Sequence, residues 1–242
     1  MLPPPPPPPS SDGAWFLDID GTLIEIPETP SATAAPSAVR ELLEALSARA
    51  GGALALVSGR RIDNIRRLLA PFAPPTAGLH GLERVGADGV VRRPPQNAGL
   101  DDIRARLMAF AGAYPGTAIE DKGLTLALHY RLAPEYQQEA RRAAEAAVAA
   151  HPSFRVLAGK MVFEVEPTGY DKGGAVVDFM AEPPFVGRVP VFVGDDYSDE
   201  DGFRAVNALG GISVLVGAPR PSAARHGLPD VTACLAWLRQ AL

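Results

Sequence analysis

Ala14-Trp15-Phe16-Leu17-Asp18-Ile19-Asp20-Gly21-Thr22-Leu23 is the stretch on which the fold turns. Its first six residues are apolar but for Asp18, a run suited to a buried strand, and Asp20-Gly21 stops it. The two-residue period of a strand turns the Asp18 and Asp20 carboxylates to one side at its carboxyl end, while Ile19 points away. Like charges held this close are costly unless a cation or a proton lies between them, so the pair points to a divalent metal. An Asp-x-Asp-Gly on its own is as often a plain turn, so the surrounding chain has to decide.

Downstream, Val39, Leu42, Leu43 and Leu46 repeat at helical spacing over 36–49, with Ser37 as a candidate cap and Gly51-Gly52 as the stop. An apolar strand over 53–57, a turn at Ser58-Gly59 and a helix over 62–69 follow. The same alternation returns late in the chain, with a helix over 172–180, an apolar strand over 189–193, a helix from 199, a strand over 212–216 and a last helix ending at 242. Strands alternating with helices predict a doubly wound parallel sheet. Between these flanks the order changes to a hairpin at Asp88-Gly89, a helix over 101–113, a strand pair turning at Lys122-Gly123, an Ala-rich helix over 134–150 and a strand pair turning at Gly159-Lys160. The fold class is therefore α/β, with an α+β block inserted into the parallel core. Upstream, Pro3 to Pro9 fix φ and remove every backbone donor, which predicts an extended, stiff and inert leader over 1–12.

The chain has 242 residues, 47% hydrophobic, with a formal charge of −5 and one cysteine, Cys234. That composition excludes intrinsic disorder over most of its length and, with no dense Lys/Arg block, argues against nucleic acid or an anionic membrane as partner. A small molecule is the expected partner. A lone cysteine builds neither a disulfide framework nor a thiolate zinc site and fits a reducing compartment, so cytoplasm is the expected location. No apolar run approaches the length of a membrane helix, and the N-terminus lacks the pattern of a secretion signal.

Three further clusters meet the Asp18 edge in such a sheet. Gly194-Asp195-Asp196-Tyr197-Ser198-Asp199-Glu200-Asp201 follows the strand over 189–193 and adds Asp195 and Asp196 to a hard oxygen site. Asp199, Glu200 and Asp201 also read as acids favouring a helix N-terminus. Ser58-Gly59-Arg60 offers a hydroxyl and backbone donors suited to phosphate oxygens, and Lys172 supplies a point charge.

Asp18-Ile19-Asp20-Gly21-Thr22-Leu23, Ser58-Gly59-Arg60, Lys172 and Gly194-Asp195-Asp196, in this order, resemble the four motifs of the haloacid dehalogenase superfamily of phosphotransferases. The insert between the second and third motifs resembles the type-2 cap of its sugar phosphatases. Within that branch the chain is similar to the trehalose-6-phosphate phosphatases. That similarity rests on Gly78-Leu79-His80-Gly81-Leu82-Glu83, Glu120-Asp121-Lys122-Gly123, His129-Tyr130-Arg131, Gly159-Lys160 with Glu164 and Pro167, and Asp195 to Glu200, with Ser198 where Thr is usual. The resemblance implies a catalytic core over 13–81 and 168–242 and a cap over 82–167. It implies an aspartyl-phosphate mechanism in which Asp18 attacks phosphorus, Asp20 is the acid and base, and Ser58 and Lys172 stabilise the phosphoryl group. Mg²⁺ would be held by Asp18, Asp195 and the Asp20 carbonyl, with Asp196 and Asp199 as outer partners. Arg60, His80, Glu120, Lys122, Arg131, Lys160 and Glu164 would contact a phosphorylated disaccharide. Sibling enzymes for sucrose phosphate or mannosyl-phosphoglycerate share the core motifs, and a non-catalytic phosphosugar sensor is the reading from another class.

Overall fold

Residues 2–9, 11–25, 35–95, 97–159 and 161–242 are described by the structure, a computed structural model. The chain forms two units, Met1–Arg93 with Tyr170–Leu242 and Pro94–Gly169. The larger begins β1 (Gly13–Leu17), α1 (Ser37–Arg49), β2 (Leu54–Val57), α2 (Ile62–Leu69), β3 (Thr76–Gly78), β4 (Glu83–Val85) and β5 (Val91–Arg92). The smaller contains α3 (Gly99–Ala113), β6 (Ala118–Asp121), β7 (Leu126–His129), α4 (Gln137–Val148), β8 (Phe154–Gly159) and β9 (Val162–Pro167). The larger then resumes with α5 (Lys172–Met180), β10 (Val189–Gly194), α6 (Glu200–Ala208), β11 (Ile212–Val216), β12 (His226–Leu228) and α7 (Val231–Arg239).

In the larger unit the strands stand in the order β12-β11-β10-β1-β2-β3-β4-β5. Pairing is parallel from β12 to β3 and antiparallel beyond. β1 is buried along its whole length, as a central strand covered on both faces must be, and this is why its sequence runs apolar without alternation. Phe16 stacks on Phe185 at 5.5 Å beneath α5, and Trp15 meets Trp237 of α7 edge to face at 5.9 Å. Burying each such side chain contributes about 1.5–3 kcal/mol, so both faces of β1 are firmly fixed. The chain leaves β1 toward β2 on one side and returns to β10 on the other. The neighbouring carboxyl ends of β1 and β10 therefore lie where the strand order reverses, the edge at which open α/β sheets bind ligands. Asp18 and Asp195 are the first residues past those two ends.

Three details differ from the sequence reading. The hairpin at Asp88-Gly89, placed in the insert at 82, pairs β4 onto β3 and so extends the large sheet. The reason is ionic: buried Arg84 donates both terminal nitrogens to Glu182 at 2.9 Å and lies over the Phe179 ring, while the Glu83 carboxylate accepts from Ile62 N at 2.7 Å. Ser37 is the first helical residue of α1 rather than its cap, which is Pro36. The leader is docked: the carbonyls of Pro3, Pro4 and Pro6 accept from Gly227 N, His226 Nδ1 and Trp237 Nε1 at 2.9, 3.2 and 2.9 Å. A polyproline arm accepts hydrogen bonds but donates none, so it covers the edge strand β12 without extending the sheet.

The smaller unit is an antiparallel sheet in the order β6-β7-β9-β8. Alternation separates its faces. Leu126, Leu128, Tyr130, Phe163 and Val165 pack with Leu100, Ile103 and Leu107 of α3 and Ala140, Ala144 and Ala147 of α4. The other face carries Glu120, Lys122, His129 and Glu164, with buried Ala127 in register between Glu120 and Glu164. Among the described residues no helix is long and apolar enough to cross a membrane.

Candidate active site

The turn after β1 holds the first carboxylates. Asp18 N continues the ladder onto Val193 O at 3.0 Å, and Ile19 O accepts from Leu23 N and Ile24 N, so the chain curls back immediately past the strand. Gly21 sits at φ +82°, and a Cβ there would fall 2.1 Å from Asp195 Oδ2. Only glycine lets the Asp195 carboxylate lie against this backbone. Thr22 Oγ1 donates to the other Asp195 oxygen at 3.3 Å.

Lys172 is the first residue of α5, which Asp171 caps by accepting from Gly174 N at 2.7 Å. Its side chain is 2% exposed, and Nζ donates to Asp18 Oδ1 at 2.9 Å and Asp199 Oδ1 at 2.6 Å. The second oxygen of Asp199 accepts from the backbone N–H of Asp195 and Asp196 at 3.0 and 2.9 Å. Asp199 is therefore a buried staple that ties the Asp195 turn to Lys172, and both of its oxygens are engaged. The sequence reading grouped it with the outer partners and with helix-start acids; its hydrogen bonds give it a firmer place. Asp196 is exposed and caps the same turn with Asp199. Arg220, absent from the sequence reading, braces the turn by donating to Glu200 and to Asp196 O at 2.7 Å.

Asp18, Asp195 and Asp199 each bring a carboxylate oxygen to within 4.8 Å of the others. Three carboxylates face one ammonium here, so with all three ionised the site would carry an excess of two negative charges in a buried place. The electrostatics record this. Burial pushes Asp18 well above the ordinary carboxylate range, Lys172 opposes, and Asp199 and Asp195 push it up further. Burial and then Asp199 push Asp195 up to about 7. Burial would lower the Lys172 ammonium, but Asp18 and Asp199 outweigh it and raise its pKa. Hard oxygen donors with an uncompensated charge of two fit a divalent cation.

The second motif lies on the adjacent strand. Ser58 is buried, its N–H donates to Ala77 O at 2.9 Å, and its Oγ accepts from Arg60 N at 3.2 Å. Arg60 reaches across to Asp20, with Nε on Oδ2 and a terminal nitrogen on Oδ1, both at 2.6 Å. His80, at φ 56°, lies against Gly59, where a Cβ would meet its ring at 2.6 Å. Four separated stretches of sequence thus arrive at one edge of the large sheet.

In the smaller unit Lys122 Nζ donates to Glu164 Oε1 at 2.5 Å, and His129 Nε2 lies 3.0 Å from Glu120 Oε2. The bond to His129 holds Glu120 below its ordinary range against the effect of burial, with help from Lys122. Arg131 is exposed just past β7. Lys160 lies outside the described residues. Arg155 with Glu166, paired at 2.6 Å between β8 and β9, is an ion pair the sequence reading did not name.

A sheet of this topology with carboxylates at its switch point defines the haloacid dehalogenase-like fold. The C-terminal domain of C. albicans trehalose-6-phosphate phosphatase superposes with a TM-score of 0.84 at 21% identity, covering 96% of this chain and 92% of that one. The sequence profile of the trehalose-phosphatase family matches residues 16–230, and the chain belongs to that family. It is 45% identical over 215 residues to a probable trehalose-phosphate phosphatase of Sinorhizobium fredii, covering 88% of this chain and 81% of the relative. It is 41% identical over 238 residues to the trehalose-6-phosphate phosphatase of Escherichia coli, covering 96% and 89%.

Proposed function

We propose that the chain hydrolyses trehalose 6-phosphate to trehalose and inorganic phosphate through an aspartyl-phosphate on Asp18. The observation that carries the chemistry is the buried cluster of Asp18, Asp195 and Asp199 around Lys172 with its excess negative charge. The substrate is supported by membership of the trehalose-phosphatase family.

A phosphate monoester dianion repels a carboxylate nucleophile, and a sugar alkoxide is a poor leaving group, so the site must screen charge and deliver a proton. Asp18 and Asp195 would hold Mg²⁺ together with the Asp20 carbonyl. Bound there, the ion screens the attacking carboxylate from the phosphate oxygens. Lys172 fixes the Asp18 rotamer through Oδ1 and faces the incoming phosphoryl group as a cation. An Asp18 oxygen forms the bond to phosphorus as the bond to the sugar oxygen breaks, and Asp20 delivers its proton to that oxygen. Asp20 then takes a proton from the water that attacks the acyl phosphate, which frees phosphate and restores Asp18. Ser58 would donate to a phosphoryl oxygen at the start of α2.

The smaller unit would read the sugar. Glu120, Lys122 and Glu164 alternate onto one sheet face as paired acceptors and donors, a pattern suited to vicinal hydroxyls. Arg131 and Lys160 complete the set by their place in the family motifs. The single buried Cys234, whose thiol burial pushes up to about 12, suits a reducing compartment, and the cytoplasm is the proposed location. The test is phosphate release from trehalose 6-phosphate beside sucrose 6-phosphate and glucose 6-phosphate. A clear preference in kcat/KM for trehalose 6-phosphate is expected. Equal or greater turnover of another sugar phosphate would overturn the substrate reading.

A further inference from the structure

The resemblance placed Arg60 among the substrate contacts, yet two of its three guanidinium nitrogens are bonded to Asp20. We infer that Arg60 is a positioning residue for Asp20, setting the carboxylate plane from which protons move to and from the leaving oxygen and the attacking water. The inference rests on the reading of Asp20 as acid and base.

Two parallel N–H···O bonds of 2.6 Å make the fork-to-fork geometry that fixes both the position and the plane of a carboxylate. A lysine ammonium, a point donor on a flexible stem, would fix neither. Both partners remain partly wet, with side chains 21% and 32% exposed, so the pair keeps its orientation by geometry rather than by deep burial. The backbone behind the guanidinium is itself pinned. Arg60 N donates to Ser58 Oγ, Arg60 O accepts from Leu79 N at 3.0 Å, and Ser58 O accepts from His80 N at 3.0 Å. Gly78 is held so close that a Cβ would lie 2.8 Å from Arg60 O. On the far side, Gly21 N donates to Ile24 O at 2.7 Å and closes the turn that carries Asp20. The site therefore assigns one cation to each carboxylate of the first motif: Lys172 holds Asp18, and Arg60 holds Asp20. Without the fork, the Asp20 side chain is free to leave its rotamer, and proton transfer requires a donor within hydrogen-bond reach of the reacting oxygen.

A sugar alkoxide must be protonated as it departs, whereas a nitrophenolate leaves without a proton. The kinetic constant kcat/KM covers the steps up to phosphoryl transfer, so comparing the two leaving groups isolates the work of Asp20. In Arg60→Ala, kcat/KM for trehalose 6-phosphate is expected to fall about 10²-fold, within the range of a lost general acid, while that for p-nitrophenyl phosphate stays within about threefold. KM for trehalose 6-phosphate is expected not to rise, and for p-nitrophenyl phosphate kcat and KM should fall together where the water step limits turnover. Arg60→Lys keeps the charge and loses the fork, so it should recover only part of the sugar-phosphate rate, and it serves if the alanine variant fails to fold. Equal losses on both substrates, a loss carried by KM, or full recovery in Arg60→Lys would overturn the inference. If wild type is inert on trehalose 6-phosphate, the substrate reading fails separately, and the same comparison is run on whichever sugar phosphate it hydrolyses.

Discussion

The two units handle charge in opposite ways. At the edge of the large sheet Lys172, Asp18 and Asp199 have side chains only 2%, 7% and 0% exposed. On the open face of the small sheet Lys122 and Glu164 are 13% and 19% exposed, and His129 and Glu120 are 39% and 50%. Deleting one partner of a buried ion pair costs about 3–5 kcal/mol, whereas exposed pairs contribute only about 0–1 kcal/mol. The buried cluster is thus a rigid electrostatic device, organised before a phosphate arrives and short of positive charge. Of the pairs on the small sheet, His129 with Glu120 is the more open to solvent and Lys122 with Glu164 the more enclosed, and both set donors and acceptors on the face that stays open. Chemistry is assigned to the first and recognition to the second.

That contrast can be broken at either end. The larger effect belongs to Asp18→Asn, which keeps the shape and an oxygen for Lys172 but removes the proposed nucleophile. Turnover should fall on the order of 10³-fold or more on sugar and aryl phosphates alike, with circular dichroism and melting behaviour retained. Near-normal phosphate release by the folded variant would remove Asp18 from the chemistry. A smaller and selective effect is expected from Glu164→Ala, which takes one acceptor from the small sheet. KM for trehalose 6-phosphate should rise roughly tenfold, equivalent to about 1.4 kcal/mol, while the constants for p-nitrophenyl phosphate barely move. Parallel losses on both substrates would show that the small sheet does more than read the sugar.

Much of this division is written locally in the chain. The apolar run ending at Asp18 must be a buried central strand, and helix α2 starts and stops where its periodicity does, at Ile62–Leu69. The carboxylates, Ser58 and Lys172 were legible because each follows a strand or opens a helix that brings it to the same sheet edge. What escaped depends on partners distant in sequence. Residues 83–92 announce a hairpin but not which sheet it joins, and that choice rests on Arg84 finding Glu182, 98 residues away. Asp199 sits among acids that any helix start would favour, so its role as the staple beneath Lys172 is visible only once β10 and α5 stand side by side. The three-residue strands β3 and β12 are too short for periodicity to register, and the proline leader carries no signal of the indole and imidazole donors that fasten it.

Everything assigned to the large sheet depends on its excess of two negative charges being met by a divalent cation when the phosphate binds. The direct measurement is phosphate release from trehalose 6-phosphate by protein stripped with excess chelator, before and after Mg²⁺ is restored. No turnover in chelator and full recovery with Mg²⁺ is the predicted result; undiminished turnover in excess chelator would contradict it.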